Sequence, residues 1–152
     1  MNCVSHFQIS AVGDGVGWLV RGGITIGELF IDKTMVRGSA LLRAYELENS
    51  ISIYPRVSID AVIVSELQGN KETAEYLSLD SDGIFFLNYM SIWHFAGEIV
   101  RSGFEKIKNE ARKPDGAYAD KVYQKLVWHM NYINHELDKK GERKDKKFRL
   151  SI

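Results

Sequence analysis

The stretch from Trp18 to Val64 constrains the chain most. Trp18 to Ile26 is apolar and β-branched, which reads as a strand, and Gly22-Gly23 inside it marks a bulge or a close approach of backbone. Glu28 to Val36 alternates loosely, as a following strand would. Gly38-Ser39 then opens a helix expected to run to about Asn49, with Ala40, Leu41, Ala44, Tyr45 and Leu47 at helical spacing on its inward side. Pro55 forces extended backbone at Tyr54, and Arg56 to Val64 reads as another strand. A strand, a glycine-opened helix and a second strand in that order already exclude an all-helical fold.

The rest of the chain completes the pattern. Ser5 to Val12 reads as a short helix end, and Gly13-Asp14-Gly15-Val16-Gly17 as a turn. Leu67 to Thr73 reads as a polar connection, Asp80-Ser81-Asp82-Gly83 as a turn, and Ile84 to Tyr89 as a short aromatic-rich strand. Beyond it the period changes to helical. Ile92, Phe95, Ala96, Ile99, Gly103 and Ile107 make one stripe, and Val122, Leu126, His129, Met130, Ile133 and Leu137 make a second. Lys113-Pro114-Asp115-Gly116 separates them, so the two helices are expected to return antiparallel, with Gly103 letting their backbones approach. The class is α+β. The expected division is residues 1–90 as the α+β part, 91–140 as a helical hairpin packed on it, and 141–152 as a tail.

Charge and cysteine content narrow the function classes. Twenty basic and twenty acidic residues give a formal net charge of zero. No global field steers such a chain to nucleic acid or an anionic membrane, and near-neutral chains tend to associate. The aromatic cluster Phe85, Phe86, Tyr89, Trp93 and Phe95 is the expected seat of that association. The single cysteine, Cys3, excludes an intrachain disulfide and fits a reducing cytoplasm. No apolar run reaches the length of a membrane span, and no secretory signal is visible near Met1.

Four segments together carry a family resemblance: Arg21-Gly22-Gly23-Ile24-Thr25-Ile26-Gly27, Gly38-Ser39-Ala40-Leu41-Leu42, Ala44-Tyr45-Glu46-Leu47-Glu48 and Tyr54-Pro55-Arg56-Val57. They resemble the C-terminal portion of the class III adenylate/guanylate cyclase catalytic domain. The likeness is to a divergent bacterial branch that includes antiphage cyclases making cyclic pyrimidine nucleotides. Lys125-Leu126-Val127-Trp128 and Asn131-Tyr132-Ile133-Asn134 look like the C-terminal helix of that branch. The resemblance implies a partial ferredoxin-like cyclase domain, a few-stranded sheet plus helix, followed by the helical hairpin. It implies a cytoplasmic protein that pairs with itself or with a partner chain, because the family's site forms between two domains.

The same resemblance predicts that the chain is catalytically incomplete. The family holds two Mg²⁺ or Mn²⁺ ions on two aspartates placed before the strand that Arg21 opens. Only twenty residues precede Arg21, and Asp14 stands too close to it to match the family's hairpin aspartate, so a solvated turn is the simpler reading. Active members carry an Asn and an Arg one turn apart on the glycine-opened helix. Counting from Gly38, those positions fall on Leu42, which donates no hydrogen bond, and Glu46, which repels phosphate. The base-reading position falls on Met35. Arg21, Arg37 and Arg43 are nearby cations suited to a nucleoside triphosphate. The simpler readings are that Arg43 pairs locally with Glu46 or Glu48 and that Arg21 caps a sheet edge. The expected function is that of a cyclase-homology protein acting as a fragment, a regulatory partner or half of a split enzyme. Two alternatives stand beside it: an active cyclase completed by a partner chain, and a module that binds a nucleotide or a protein.

Other candidates are weaker. His6, His94, His129 and His135 show no ligand spacing, and His129 lies on an apolar stripe where a hydrogen-bonded core histidine belongs. Glu28 and Asp32 could share a strand face and hold a metal ion, and the simpler reading is a solvated face. Asp80-Ser81-Asp82-Gly83 matches only the start of a calcium loop. Lys139 to Arg149 holds seven basic and two acidic residues and a single aromatic, Phe148, and reads as a solvated run.

Overall fold

In the computed structural model, the residues described are 2–13, 17–91, 96–112 and 119–140. The fold is mixed α and β, and it divides into two compact units. One spans residues 21–88. The other joins residues 2–20 to the chain from Tyr89 onward. The N-terminal helix therefore belongs with the C-terminal helices, where the sequence placed it with the sheet. Among the described residues no helix is long and apolar enough to cross a membrane.

In the unit of residues 21–88, the strands are β1 (Gly22–Ile24), β2 (Phe30–Ile31), β3 (Val36–Arg37), β4 (Val57–Ile59), β5 (Leu77–Leu79) and β6 (Phe85–Leu87). Four of them form a sheet in the order β1-β4-β6-β5. β1 and β4 are parallel, with Gly22 opposite Val57 and Ile24 opposite Ile59. Parallel neighbours need a crossover, and α2 (Ser39–Glu46) supplies it. β6 runs antiparallel to both β4 and β5. A β-carbon on Gly23 would lie 2.5 Å from Leu47 Cβ and 2.6 Å from the Ala44 carbonyl oxygen. Glycine there is what lets the crossover helix lie against β1. The core of this unit is Leu47, Val57, Ile59, Ile63, Val64, Phe86 and Leu87.

Several elements differ from the sequence reading. Trp18 to Ile26 contributes only three strand residues, Gly22–Ile24. Glu28 to Val36 is not one strand but β2 and β3, a hairpin of two-residue strands whose four residues are all exposed. The helix opened at Gly38 is α-helical to Glu46 and then widens to a π turn, Leu47–Ile51. Leu41 and Tyr45 lie on its exposed side, and Leu47 is the residue that reaches the core. Arg56 to Val64 is strand only as far as Ile59; Ala61–Gly69 is α3, followed by α4 (Lys71–Ala74) across the expected polar connection.

The second unit is helical: α1 (Asn2–Gly13), a 3₁₀ turn at Tyr89–Ser91, α5 (Ala96–Glu110) and α6 (Asp120–Lys139). Gly103 does mediate a close approach, but with α1: a β-carbon there would overlap the Val12 carbonyl and lie 2.8 Å from Gly13 Cα. The buried stripe of α5 is Val100, Phe104 and Ile107 beside that glycine, while Ile99 is partly exposed. α6 buries Leu126, His129, Tyr132, Ile133, Glu136 and Leu137, and leaves Val122 and Met130 outside that set. α6 meets α5 through Phe104, stacked on His129 at 5.7 Å between centroids. Of the aromatic cluster, Phe86 and Tyr89 are buried and Phe85 is half-buried. Trp93, Phe95, Ile92, His94, Asp14, the Lys113 to Gly116 break and the tail from Gly141 lie outside the described residues.

Candidate functional site

Ligand sites in sheets with parallel strands form beyond the strands' carboxyl ends. Here those ends are Thr25, which follows β1, and Asp60, which follows β4. The Asp60 amide donates to the Ile24 carbonyl at 2.9 Å, so the two ends are held in register. Arg43, one turn into α2, reaches the same point. Its Nε donates to Asp60 Oδ2 at 2.8 Å and its Nη2 to Oδ1 at 3.0 Å, a two-pronged pairing. Thr25 Oγ1 donates to Oδ2 at 2.8 Å. The third face of the guanidinium, Nη1, donates to Glu46 Oε2 at 3.2 Å.

Burial gives this cluster its meaning. The Asp60 side chain is 2% exposed and that of Arg43 is 42% exposed. The Arg43 hydrogen bonds hold the Asp60 carboxyl down at about 2, against a desolvation that would raise it, and Thr25 helps. The Asp60 hydrogen bonds, with Glu46 second, push the Arg43 pKa up. Neither group exchanges a proton near neutral pH, so neither serves as a general acid or base there. A phosphate that drew Arg43 away from Asp60 would leave that carboxylate buried without its cation. The cluster anchors the crossover helix to the strand ends. The local partner Glu46 expected from sequence is present, and the dominant partner is Asp60, seventeen positions away.

The other positions singled out by the resemblance have surroundings of their own. Leu42 is 67% exposed, and the Glu46 carboxylate, half of whose role is to hold Arg43, is exposed too. Met35 lies in the hairpin turn, exposed, with its amide donating to Asp32 Oδ1 at 2.9 Å. Asp32 also accepts from the amide and hydroxyl of Thr34 at 2.7 and 2.9 Å. The Thr34 amide is the first cause of its lowered pKa. Asp32 thus caps the hairpin turn instead of sharing a ligand with Glu28. Arg37 lies over the Phe30 ring, 4.9 Å from its centroid. Arg21 pairs with Glu48 at 3.2 Å, both about one-third exposed. The structure therefore brings Arg43, Glu46 and Leu42 together on one helix and leaves Arg21, Arg37 and Met35 apart from the anchor.

A second charged cluster was missed. The Arg56 side chain is wholly buried, and its Nη atoms meet Asp80 Oδ2 and both oxygens of Asp82, the latter at 3.1 and 2.5 Å. Burial pushes the Asp82 carboxyl up, and the Arg56 hydrogen bonds with the Ile84 amide outweigh it, leaving its pKa lowered. The two aspartates of the Asp80 to Gly83 turn thus face an arginine, and this turn pins β5 to β6. Among the described residues no group of three or more His, Cys, Asp or Glu could hold a metal ion.

His129 is a core histidine, as its stripe predicted. It is buried, its Nε2 lies 3.1 Å from Tyr89 Oη, and its ring stacks near Phe104 and Tyr89. Burial lowers its pKa to about 3, so it is neutral at pH 7. His6 and His135 are exposed. A sequence signal for the anchor did exist: Asp60 directly before Ala61-Val62-Ile63-Val64 is a helix N-cap pattern. Comparison of the chain with protein-family models, with curated proteins and with solved structures returns no match.

Proposed function

We propose that this chain is a cyclase-homology protein that acts through association with another chain and does not itself cyclise a nucleotide. The observation that carries the reading is the commitment of Arg43, the best-placed cation on α2, to Asp60 and Glu46. With Leu42 and Glu46 at the positions where active members stabilise the transferring phosphate, the one cation of that helix is already held by two carboxylates. The β1-α2-β4 crossover followed by the β5-β6 hairpin supports a partial ferredoxin-like cyclase domain as the ancestry. A cytoplasmic setting follows from the same reading, and the lone exposed Cys3 suits it.

A second reading, an active cyclase completed by a partner chain, is favoured by one feature. β1 is at the edge of its sheet, where strands bearing metal-binding aspartates would add. Asp14 is not needed for that reading. Mg²⁺ or Mn²⁺ and a nucleoside triphosphate would then sit largely on the partner.

The test is an assay of the purified chain with ATP, GTP, CTP and UTP, each with Mn²⁺ and with Mg²⁺. No cyclic product above a denatured control is expected. Metal-dependent turnover that disappears in Arg43→Ala would sink the proposal and install the second reading.

A further inference from the structure

Two features of the chain fit each other. The first is the outer edge of β5, the strand on which the four-stranded sheet ends, with no described strand beyond it. Alternate residues of β5 face β6. The Asn88 amide donates to the Tyr76 carbonyl at 2.7 Å, Ser78 stands opposite Phe86, and the Asp80 amide donates to the Ile84 carbonyl at 3.0 Å. The same alternation turns the N–H and C=O of Leu77 and Leu79 outward, away from β6. Such a row of backbone groups is a template for a further strand.

The two faces of this edge differ in chemistry. Leu77 and Leu79 lie on one face, opposite Leu87 and Phe85. Leu87 is fully buried, whereas Leu79, at the rim, is 59% exposed. Tyr76 and Ser78 lie on the other face. There the Tyr76 hydroxyl donates to the Glu75 carboxylate, and the charge of Glu72 reaches it as well. One face of the edge is therefore apolar and the other acidic.

The second feature is the sequence of residues 147–152, Lys147-Phe148-Arg149-Leu150-Ser151-Ile152. Its period is two. Phe148, Leu150 and Ile152 fall on one side of an extended chain, and Lys147, Arg149 and Ser151 on the other. One orientation on the β5 edge satisfies both sides at once, with Phe148 and Leu150 beside Leu77 and Leu79, and Lys147 and Arg149 towards Glu72 and Glu75. We infer that residues 147–152 of one copy of this chain add as a further strand to the β5 edge of a second copy, and that the exchange is reciprocal. This rests on the reading of the chain as one that works by association, and it names the partner and the surface.

In strand addition the backbone bonds give affinity, and the alternating side chains give specificity. Charge favours a second copy as the donor of the strand. Residues 21–88 hold six basic and ten acidic residues, and the rest of the chain holds fourteen and ten. The acidic part of one copy therefore attracts the basic part of another, although the whole chain is neutral. Each copy offers one such segment and one such edge, so a reciprocal exchange uses both and closes at two chains. The other open edge, β1, suits the segment poorly: glycine fills two of its three positions, and Arg21 precedes it.

Sedimentation velocity of the intact chain up to roughly 100 µM tests the exchange. Wild type is expected to dimerise. Leu79→Pro removes one outward N–H, a change that an unpaired edge tolerates, and it should weaken the dimer at least about ten-fold. Leu150→Asp should do the same from the other side of the contact. Lys147→Glu with Arg149→Glu should also weaken it, and adding Glu72→Lys with Glu75→Lys should restore it. Far-UV circular dichroism checks that each variant is folded; if Leu79→Pro is not, Leu150→Asp and the charge reversal decide. In a Cys3→Ser background, Leu79→Cys chains mixed with differently sized Leu150→Cys chains should give the mixed disulfide on oxidation. A monomer throughout, a dimer that Leu150→Asp leaves intact, or a charge reversal without rescue would each overturn the exchange. So would a chain carrying both cysteines that closes its disulfide within one monomer. These readouts contain no nucleotide. A monomer ends this inference and leaves the absence of turnover standing, and turnover by a dimer does the reverse.

Discussion

The two units solve the same problem, that of burying polar groups, by opposite means. Residues 21–88 bury charge and pair it: Asp60 under Arg43, and Arg56 under Asp80 and Asp82. The unit of residues 2–20 and 89–140 buries mostly neutral groups, with Phe104 and Tyr89 stacked on His129 and Trp128 stacked on Tyr132, and a single charge, Glu136, which pairs with Lys139 at 2.8 Å. Paired charges resist pH change until one partner titrates. A neutral buried base is vulnerable as soon as its unfolded counterpart begins to take up protons. The two regions should therefore fail at different pH and answer differently to the same kind of substitution. The tryptophans of the sequence, Trp18, Trp93 and Trp128, all lie outside residues 21–88. Tryptophan fluorescence then follows one unit, and circular dichroism follows both.

The largest effect expected is on the helical unit. Leu126 is fully buried on α6. Leu126→Ala should cost about 2–5 kcal/mol, the transfer term plus the cavity it leaves. Urea melts followed by tryptophan fluorescence measure it. An unchanged midpoint would mean that α6 is not docked through this face, and the comparison between the units would lose one side.

Next comes acid. The folded value of His129 is about 3 against 6.5 for the free side chain. Its contribution is fully present above pH 6.5 and is lost as pH falls from 6.5 towards 3, by up to about 1.4 kcal/mol per pH unit. Asp60 behaves otherwise. Its folded value of about 2 lies below the ordinary 3.8. Its contribution is present above 3.8 and is lost only as pH falls through 2. On acidification the fluorescence midpoint should drop first, between pH 6.5 and 4. His129→Phe should flatten that slope, while Asp60→Asn should leave it alone. A slope equally steep in His129→Phe would place the acid sensitivity elsewhere. At the alkaline side burial raises the pKa of Tyr89 and Tyr132, so the helical unit loses stability above pH 10 as well.

How much of this was legible beforehand depends on range. Local backbone constraints were readable: Gly22-Gly23, Gly38 and Tyr54-Pro55 located β1, the start of α2 and the approach to β4. The run Val57 to Val64 was not, because a short β-branched stretch looks the same in a strand and in a buried helix; only Asp60 as a cap divides it. The helical spacing of Leu41 and Tyr45 correctly showed a shared face, and wrongly suggested that this chain covers it. Periodicity tells which residues point together, not what they meet. Gly103 likewise announced a close approach without naming α1 as the partner. Arg43 and Asp60 lie seventeen residues apart, and no spacing rule joins a helix to the residue after the next strand. Leu42 and Glu46, where the resemblance places the family's Asn and Arg, were reached by counting from Gly38, and the structure adds that both are exposed beside a cation already committed.

The smallest effect sharpens the comparison by removing burial from it. Val62 on α3 is 68% exposed, in the unit of paired charges. Its side chain carries no hydrogen-bonding or charged group. Truncating it to alanine takes away methyl groups that water already covers, so no cavity forms and little transfer energy is lost. Valine also gives up rotamer freedom in a helix that alanine does not have to lose, a difference of about half a kcal/mol in alanine's favour. Val62→Ala should therefore change stability by no more than about 0.5 kcal/mol, with any shift towards a higher midpoint. The circular dichroism melt is the measurement, since fluorescence does not see this unit. A loss of more than about 1 kcal/mol would show that the outer face of α3 is covered in solution.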